Sequence, residues 1–195
     1  MSNIEKLKDR KRKSIMTAAF SLFSEYGIKK VKIADIAKKA NVSQVTIYNH
    51  FESKEHLLRE VITDYTIEKY EQYKVLLLNE DISYETRIEQ YILDKINSAR
   101  ELNSEVIEAA LLRDKELQDF LQHFSHTKAL PLFVQFVKEG QQTGHINPDL
   151  SMEVILFYLQ LLNKESSTLA KMMQQSGHSV SKDILQMFFY GLIGK

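Results

Sequence analysis

The sequence predicts an all-α protein in two parts, a three-helix helix-turn-helix domain followed by a helical bundle for ligand binding and dimerisation, about nine helices in all. Apolar residues recur at helical spacing from Ile15 to the last residues, which sets the class. Two short helical patterns meet at a tight turn within IADIAKKANVSQVTIYNHFESKEHL, residues 33–57, which sets the first part. The charge divides unevenly between the two parts, although the net charge is zero. Residues 1–60 hold 13 Lys and Arg against 7 Asp and Glu, leaving 13 against 19 for the rest, so a head of +6 precedes a body of −6. Such a head can bind a polyanion while the body discourages other orientations.

The first element carries KLKDRKRK, residues 6–13, with six basic side chains in eight. Alone this is a solvated charge run. Ahead of a helix bearing Ile15, Ala18, Ala19, Leu22 and Phe23 it reads as an arm or helix start that grips phosphate, with Lys11 the chosen contact. Gly27 ends that helix as a C-cap glycine. Ile33, Ile36, Ala37 and Ala40 then form one apolar stripe, Asn41 and Val42 interrupt, and Ser43 opens a second run carrying Ile47 and Phe51.

Stepping about 100° per residue from Ile47 puts Ser43, His50 and Phe51 near the buried side, with Val45 and Asn49 opposite and Thr46 and Tyr48 beside them. An amide can pair with an adenine edge, a small apolar tip can meet a thymine methyl, and hydroxyls reach phosphates. Gln44 lies nearer the inner side but stands at the helix start, where base contact is made. Gln44, Val45 and Asn49 are therefore assigned to bases. Ser43, Thr46 and Tyr48 go to phosphates, with Lys54 emerging at the next helix start. The bland alternative is an ordinary pair of short helices with polar residues outside.

The order Gly27-Ile28, Val31, Ile36-Ala37, Ala40, Val42-Ser43, Ile47-Tyr48, His50-Phe51, Ser53-Lys54-Glu55 and Leu57 resembles the N-terminal domain of the TetR (tetracycline repressor) family of transcriptional regulators. The likeness covers the first third of the chain. Lys32 stands where that family has Thr or Ser, and keeps a phosphate-seeking charge in place of a hydroxyl cap. Asn41 stands where Gly is usual; Asn tolerates the left-handed conformation, so the turn survives. Val45, where Gly or Ala is common, is expected to alter base preference.

Ser53 caps a fourth helix with Leu57, Leu58, Val61, Ile62 and Tyr65 on its inner face. No Pro or Gly falls between Asn41 and Pro131, so this helix is expected to run on as a stiff connector. The domains are drawn at 1–52 and 53–195. Further helices are expected over 84–99, with Ser83 as cap, over 106–112, over 114–124 and over 130–137, with Pro131 in a first turn. The string from Gly144 to Asp149 is the strongest break. Ser151 then caps a helix apolar on two faces, and a last apolar helix follows residue 181. Two such faces need two partners, so this pair is expected to pack on its own copy through Leu156, Leu159, Leu162, Met187, Phe188 and Leu192. In the resembled family these two helices do form the dimer contact.

Cysteine is absent, which excludes disulfides, thiolate metal sites and cysteine nucleophiles. There is no apolar run long enough to span a membrane and no apolar leader, so a cytoplasmic protein is expected. His123 and His126 share a spacing that can hold a metal, with Glu116 or Asp119 as third ligand, but surface histidines explain them better. No phosphate-cradling glycine loop or nucleophile and base is found, and neither catalysis, cofactor nor metal is expected. Most body aromatics are core. The resemblance nonetheless implies an apolar, aromatic-lined cavity for a small effector that releases a repressor from its operator, with Tyr70, Phe120, Phe133 and Tyr158 the residues chosen. A helical ligand-binding or scaffold protein with a non-working helix-turn-helix, or a regulator governed by a protein partner, would carry the same sequence features.

Overall fold

The computed structural model describes residues 3–101 and 114–164, together with Asp183 and Met187. These residues are helical, with no strand among them. The helices are α1 (Asn3–Tyr26), α2 (Ile33–Ala40), α3 (Gln44–His50), α4 (Lys54–Leu77), α5 (Tyr84–Glu101), α6 (Lys115–Phe124), α7 (Leu130–Gln142) and α8 (Met152–Lys164). The expected helix over 106–112, and the last one with Phe188 and Leu192, lie outside the described residues.

The chain separates into two compact units, and the division falls inside α4, after Glu68. The first unit also takes in residues 114–122, and the second takes in α5, α7 and α8. In the first unit Ile15, Ala19, Phe23, Ile36, Ile47, Phe51 and Leu57 are almost wholly buried, so α1 to α4 share one core. Leu117 of α6 is fully buried in that same core, which the sequence did not suggest. Asp114 accepts from the Leu117 N–H at 2.9 Å and so caps α6. The same carboxylate accepts from Arg59 at 2.7 Å, while the other arm of that guanidinium meets Glu116. These contacts hold Asp114 below the ordinary carboxylate range against the opposing effect of its burial.

Local signals behave as their chemistry requires. Gly27 has φ +78° and donates to the Phe23 carbonyl, closing α1. Ser53, Ser83 and Ser151 each accept a backbone N–H at the start of a helix, from His56, Thr86 and Val154. Two expectations are corrected. The basic run at 6–13 does not precede the first helix but lies within it, because nothing between Asn3 and Tyr26 interrupts helical hydrogen bonding. Nor do α6 and α7 form separate pieces, because the five residues Ser125–Ala129 join them as a π-helical turn. Pro131 explains that turn. It has no N–H to offer the carbonyl four residues back and its ring crowds that carbonyl, whereas a wider turn, with Leu130 N–H bonded to the Ser125 carbonyl, removes the conflict.

In the second unit Leu77, Tyr84, Ile88, Ile92, Phe133, Phe136, Val137, Ile146 and Ile155 form the core. Arg87 is buried within it. Its guanidinium donates to the Leu77 carbonyl at 2.7 Å, pairs with Glu139, and lies over the rings of Tyr84 and Phe136 at 5.3 and 5.4 Å. One cation thus ties the end of α4 to α5 and α7. Tyr84 stacks on Phe136 with ring centroids 4.4 Å apart and donates to the Phe136 carbonyl at 3.0 Å. Gly140 is what lets α7 come so close: a Cβ there would sit 2.3 Å from the Tyr84 hydroxyl oxygen. Gly140→Ala should therefore lower stability by about 1–3 kcal/mol, the usual cost of overpacking, in urea titrations of the purified protein.

Candidate nucleic-acid interface

Helix α3 has only seven residues and is fixed at three points. Ile47 is fully buried and Phe51, just past its C-terminus, is nearly so. At its start the Ser43 hydroxyl accepts the Thr46 N–H at 3.0 Å and lies 2.9 Å from the Thr46 hydroxyl. Ser43 itself is exposed, which corrects the helical-wheel expectation that it faces inward; as an N-cap it has extended backbone angles, so wheel geometry does not apply to it.

The turn between α2 and α3 depends on Asn41. It has φ 54° and ψ 49°, the one non-glycine with positive φ among the described residues. Its N–H and that of Val42 satisfy the carbonyls of Lys38 and Ala37 at the end of α2. At the start of α2, Asp35 reaches back to the Lys32 N–H at 2.8 Å, a cap the sequence reading had not noticed. The Lys32 side chain is left exposed.

With α3 fixed, its outer face follows. Gln44, Val45, Tyr48 and Asn49 are exposed, and Thr46 is half-buried. Val45 and Tyr48 leave 67% and 53% of their surface open. Lys11 is exposed on α1, and Lys8, Lys11 and Arg12 lie close enough to His50 for their charges to act on its imidazole. The basic run therefore borders the C-terminal end of α3.

Two members of the basic set are committed within the fold. The Arg12 guanidinium pairs with Glu60, lies 5.3 Å from the centre of the Phe51 ring, and points a second nitrogen at the Met16 sulfur. Glu60 also faces His56 at 3.5 Å. This network joins α1, the C-cap of α3 and α4. Lys54 donates to the Ile28 carbonyl and anchors the loop between α1 and α2, which occupies one of its three donors. Sequence spacing shows neither role, since both partners are distant in the chain.

Three of the four ligand candidates share one cluster. Phe120 belongs to the first unit, half-buried. Tyr70, Phe133 and Tyr158 belong to the second, where Phe133 is core and the other two pack against it. Glu116 is bound by Arg59 and Asp119 by Lys115, and among the described residues no three His, Asp or Glu side chains converge on a possible metal. Leu156 packs against its own core, while Val154, Phe157, Leu161 and Met187 are exposed. The side chains of Leu159, Leu162, Phe188 and Leu192 lie outside the described residues. Among the described residues no helix is long and apolar enough to cross a membrane.

This arrangement of four helices and an outward α3 has known counterparts. Residues 15–61 match the family model for bacterial regulatory proteins of the tetR family. The chain carries the N-terminal domain of the tetR family. Residues 15–61 are thereby a helix-turn-helix domain of the kind that bacterial regulatory proteins carry. It is 23% identical over 154 residues to the HTH-type transcriptional repressor KstR2 of Mycolicibacterium smegmatis, covering 77% of this chain and 74% of the relative. Among solved structures, the reduced form of NemR from E. coli superposes with a TM-score of 0.74 at 16% identity, over 91% of this chain and 95% of that one. The regulator FadR from Bacillus subtilis, solved in complex with stearoyl-CoA, gives 0.67 at 21%, over 92% and 98%. The likeness in fold to these two structures thus extends beyond the matched domain into the helices that follow.

Burial, and then the charges of Lys8, Arg12 and Lys11, hold His50 below its ordinary value. A histidine lowered by folding favours the neutral form, so its contribution to stability is full above the unfolded value of about 6.5 and is lost as pH falls through the folded value. Thermal melts across pH 7 to 5 should show His50→Gln losing less stability on acidification than the parent.

Proposed function

We propose that the protein represses transcription as a homodimer, seating one α3 from each copy in successive major grooves of a palindromic operator, and that a small apolar or aromatic effector releases it. The exposed face Gln44-Val45-Tyr48-Asn49, on a helix fixed by Ile47 and Phe51 and bordered by Lys8 and Lys11, carries this reading. Gln44, Val45 and Asn49 read bases; Lys11, Lys32, Ser43, Thr46, Tyr48 and Lys54 meet phosphates. Residues 1–52 are the reading part, and α4 leads into residues 53–195 for effector binding and dimerisation.

Two-fold assembly is favoured by Val154, Phe157 and Leu161, which expose one apolar stripe of α8 at helical spacing. It is also favoured by energetics, since two or three base contacts at about 1–3 kcal/mol each are too few to select a site in a genome. Effector control is supported by the aromatic interior of the second unit and by the stearoyl-CoA found in FadR.

Duplexes selected from a random pool by the full chain should share an inverted repeat, and affinity should fall steeply with added salt. On that repeat Tyr48→Phe should weaken binding to all sequences alike, whereas Asn49→Ala should cost about 1–3 kcal/mol and relax preference at one base position. Light scattering should give a dimer at micromolar concentration. Absence of duplex binding at low salt would sink the reading in favour of a helical ligand-binding protein.

A further inference from the structure

The loop between α1 and α2 carries Lys29, Lys30 and Lys32, and all three side chains are exposed. None of them forms an ion pair among the described residues. Asp35, the acid that follows, turns back to the Lys32 N–H at 2.8 Å. Like charges so close together repel one another, and a polyanion relieves that repulsion.

The backbone beneath these lysines is fixed along its length. Gly27 turns out of α1 with φ +78° and donates to the Phe23 carbonyl at 2.9 Å. Ile28 packs against the first core and Val31 is buried in it. Between them the Ile28 carbonyl accepts from the ammonium of Lys54, a half-buried residue at the start of α4. Lys54 follows closely on Phe51, the C-cap of α3, so one side chain ties the loop to the turn that ends α3. A loop ordered in advance keeps more of the gain from each contact than one that must be ordered on binding.

We propose that this loop is a second grip on the duplex backbone, in which Lys29 and Lys30 meet phosphates beside Lys32, and Lys54 is the positioning residue that holds them there through the Ile28 carbonyl. This deepens the DNA-binding reading above and rests on it. A duplex carries phosphate along both edges of the groove that receives a recognition helix, so cations from two elements, α1 and this loop, can act on it together. The loop belongs to the same basic head as α3, which favours nucleic acid over an acidic protein as its partner.

Fluorescence anisotropy of a labelled mixed-sequence duplex, titrated with the full chain at several salt concentrations, tests this. The slope of log affinity against log salt counts the phosphates neutralised. Lys29→Gln and Lys30→Gln should each make that slope shallower by about 1, and the double variant by about 2. Lys54→Met should make it shallower by about 2 or more, because the contacts of the loop go with it, but by no more than about 1 once Lys29 and Lys30 are already Gln. Lys54→Arg, which keeps a donor for the Ile28 carbonyl, should restore most of the parent slope. A parent slope in the Lys29→Gln/Lys30→Gln variant overturns the grip, and equal losses from Lys54→Met with and without the loop lysines overturn the positioning role. The loop variants decide the grip even if Lys54→Met does not fold. A parent protein that binds no duplex at low salt takes the regulator reading and the grip down together, whereas salt-sensitive binding with a slope indifferent to Lys29 and Lys30 refutes the grip alone.

Discussion

A seven-residue helix does not persist in water, and the whole first unit follows from that fact. Helix α3 exists because Ile47 and Phe51 enter a core supplied by α1, α2 and α4, and because Ser43 satisfies its first N–H groups. Only two apolar side chains can be spent on this, since the rest of so short a helix must stay outward to be read. Asn41 makes the economy possible by reversing the chain in a single left-handed residue. Rigidity is thereby conferred on the outer face of α3 by residues that lie beneath it.

The second unit meets the same problem of placing charge in an apolar interior, and meets it twice with different results. Arg87 is held by the Leu77 carbonyl, by Glu139 and by two ring faces, with its buried Nε–H left without an acceptor, and so acts as a fastener between α4, α5 and α7. Lys95 lies between rings as well, but its neighbouring carboxylate serves Lys69 instead.

Much of the fold was legible because the signals were local. Gly27, Asn41, Ser53, Ser83 and Ser151 act on backbone groups within four residues, so their chemistry can be read from the letters beside them. The outer face of α3 was legible for the same reason, since helical periodicity separates Ile47 from Val45 and Asn49. What the sequence hid depends on partners far along the chain. Arg12 looks like any other member of a basic run until Glu60 and Phe51 are beside it, and Leu117 looks like one more residue of a polar helix until the first core closes over it. Of the aromatic residues chosen for ligand contact, Tyr70, Phe133 and Tyr158 fall in one cluster and Phe120 in the other unit, a division that ring counting does not show.

The bond between Arg12 and Glu60 is half open to solvent on both sides, and mobile ions reach it as readily as they reach the lysines of α1. On the proposed reading, raising the electrolyte concentration therefore does two things at once: it competes for the phosphates, and it loosens the contact that fastens α1 to α4. The number of ions apparently displaced when this protein meets a duplex would then exceed the number of side chains that touch the backbone, the surplus being a measure of how much of the grip is preparation.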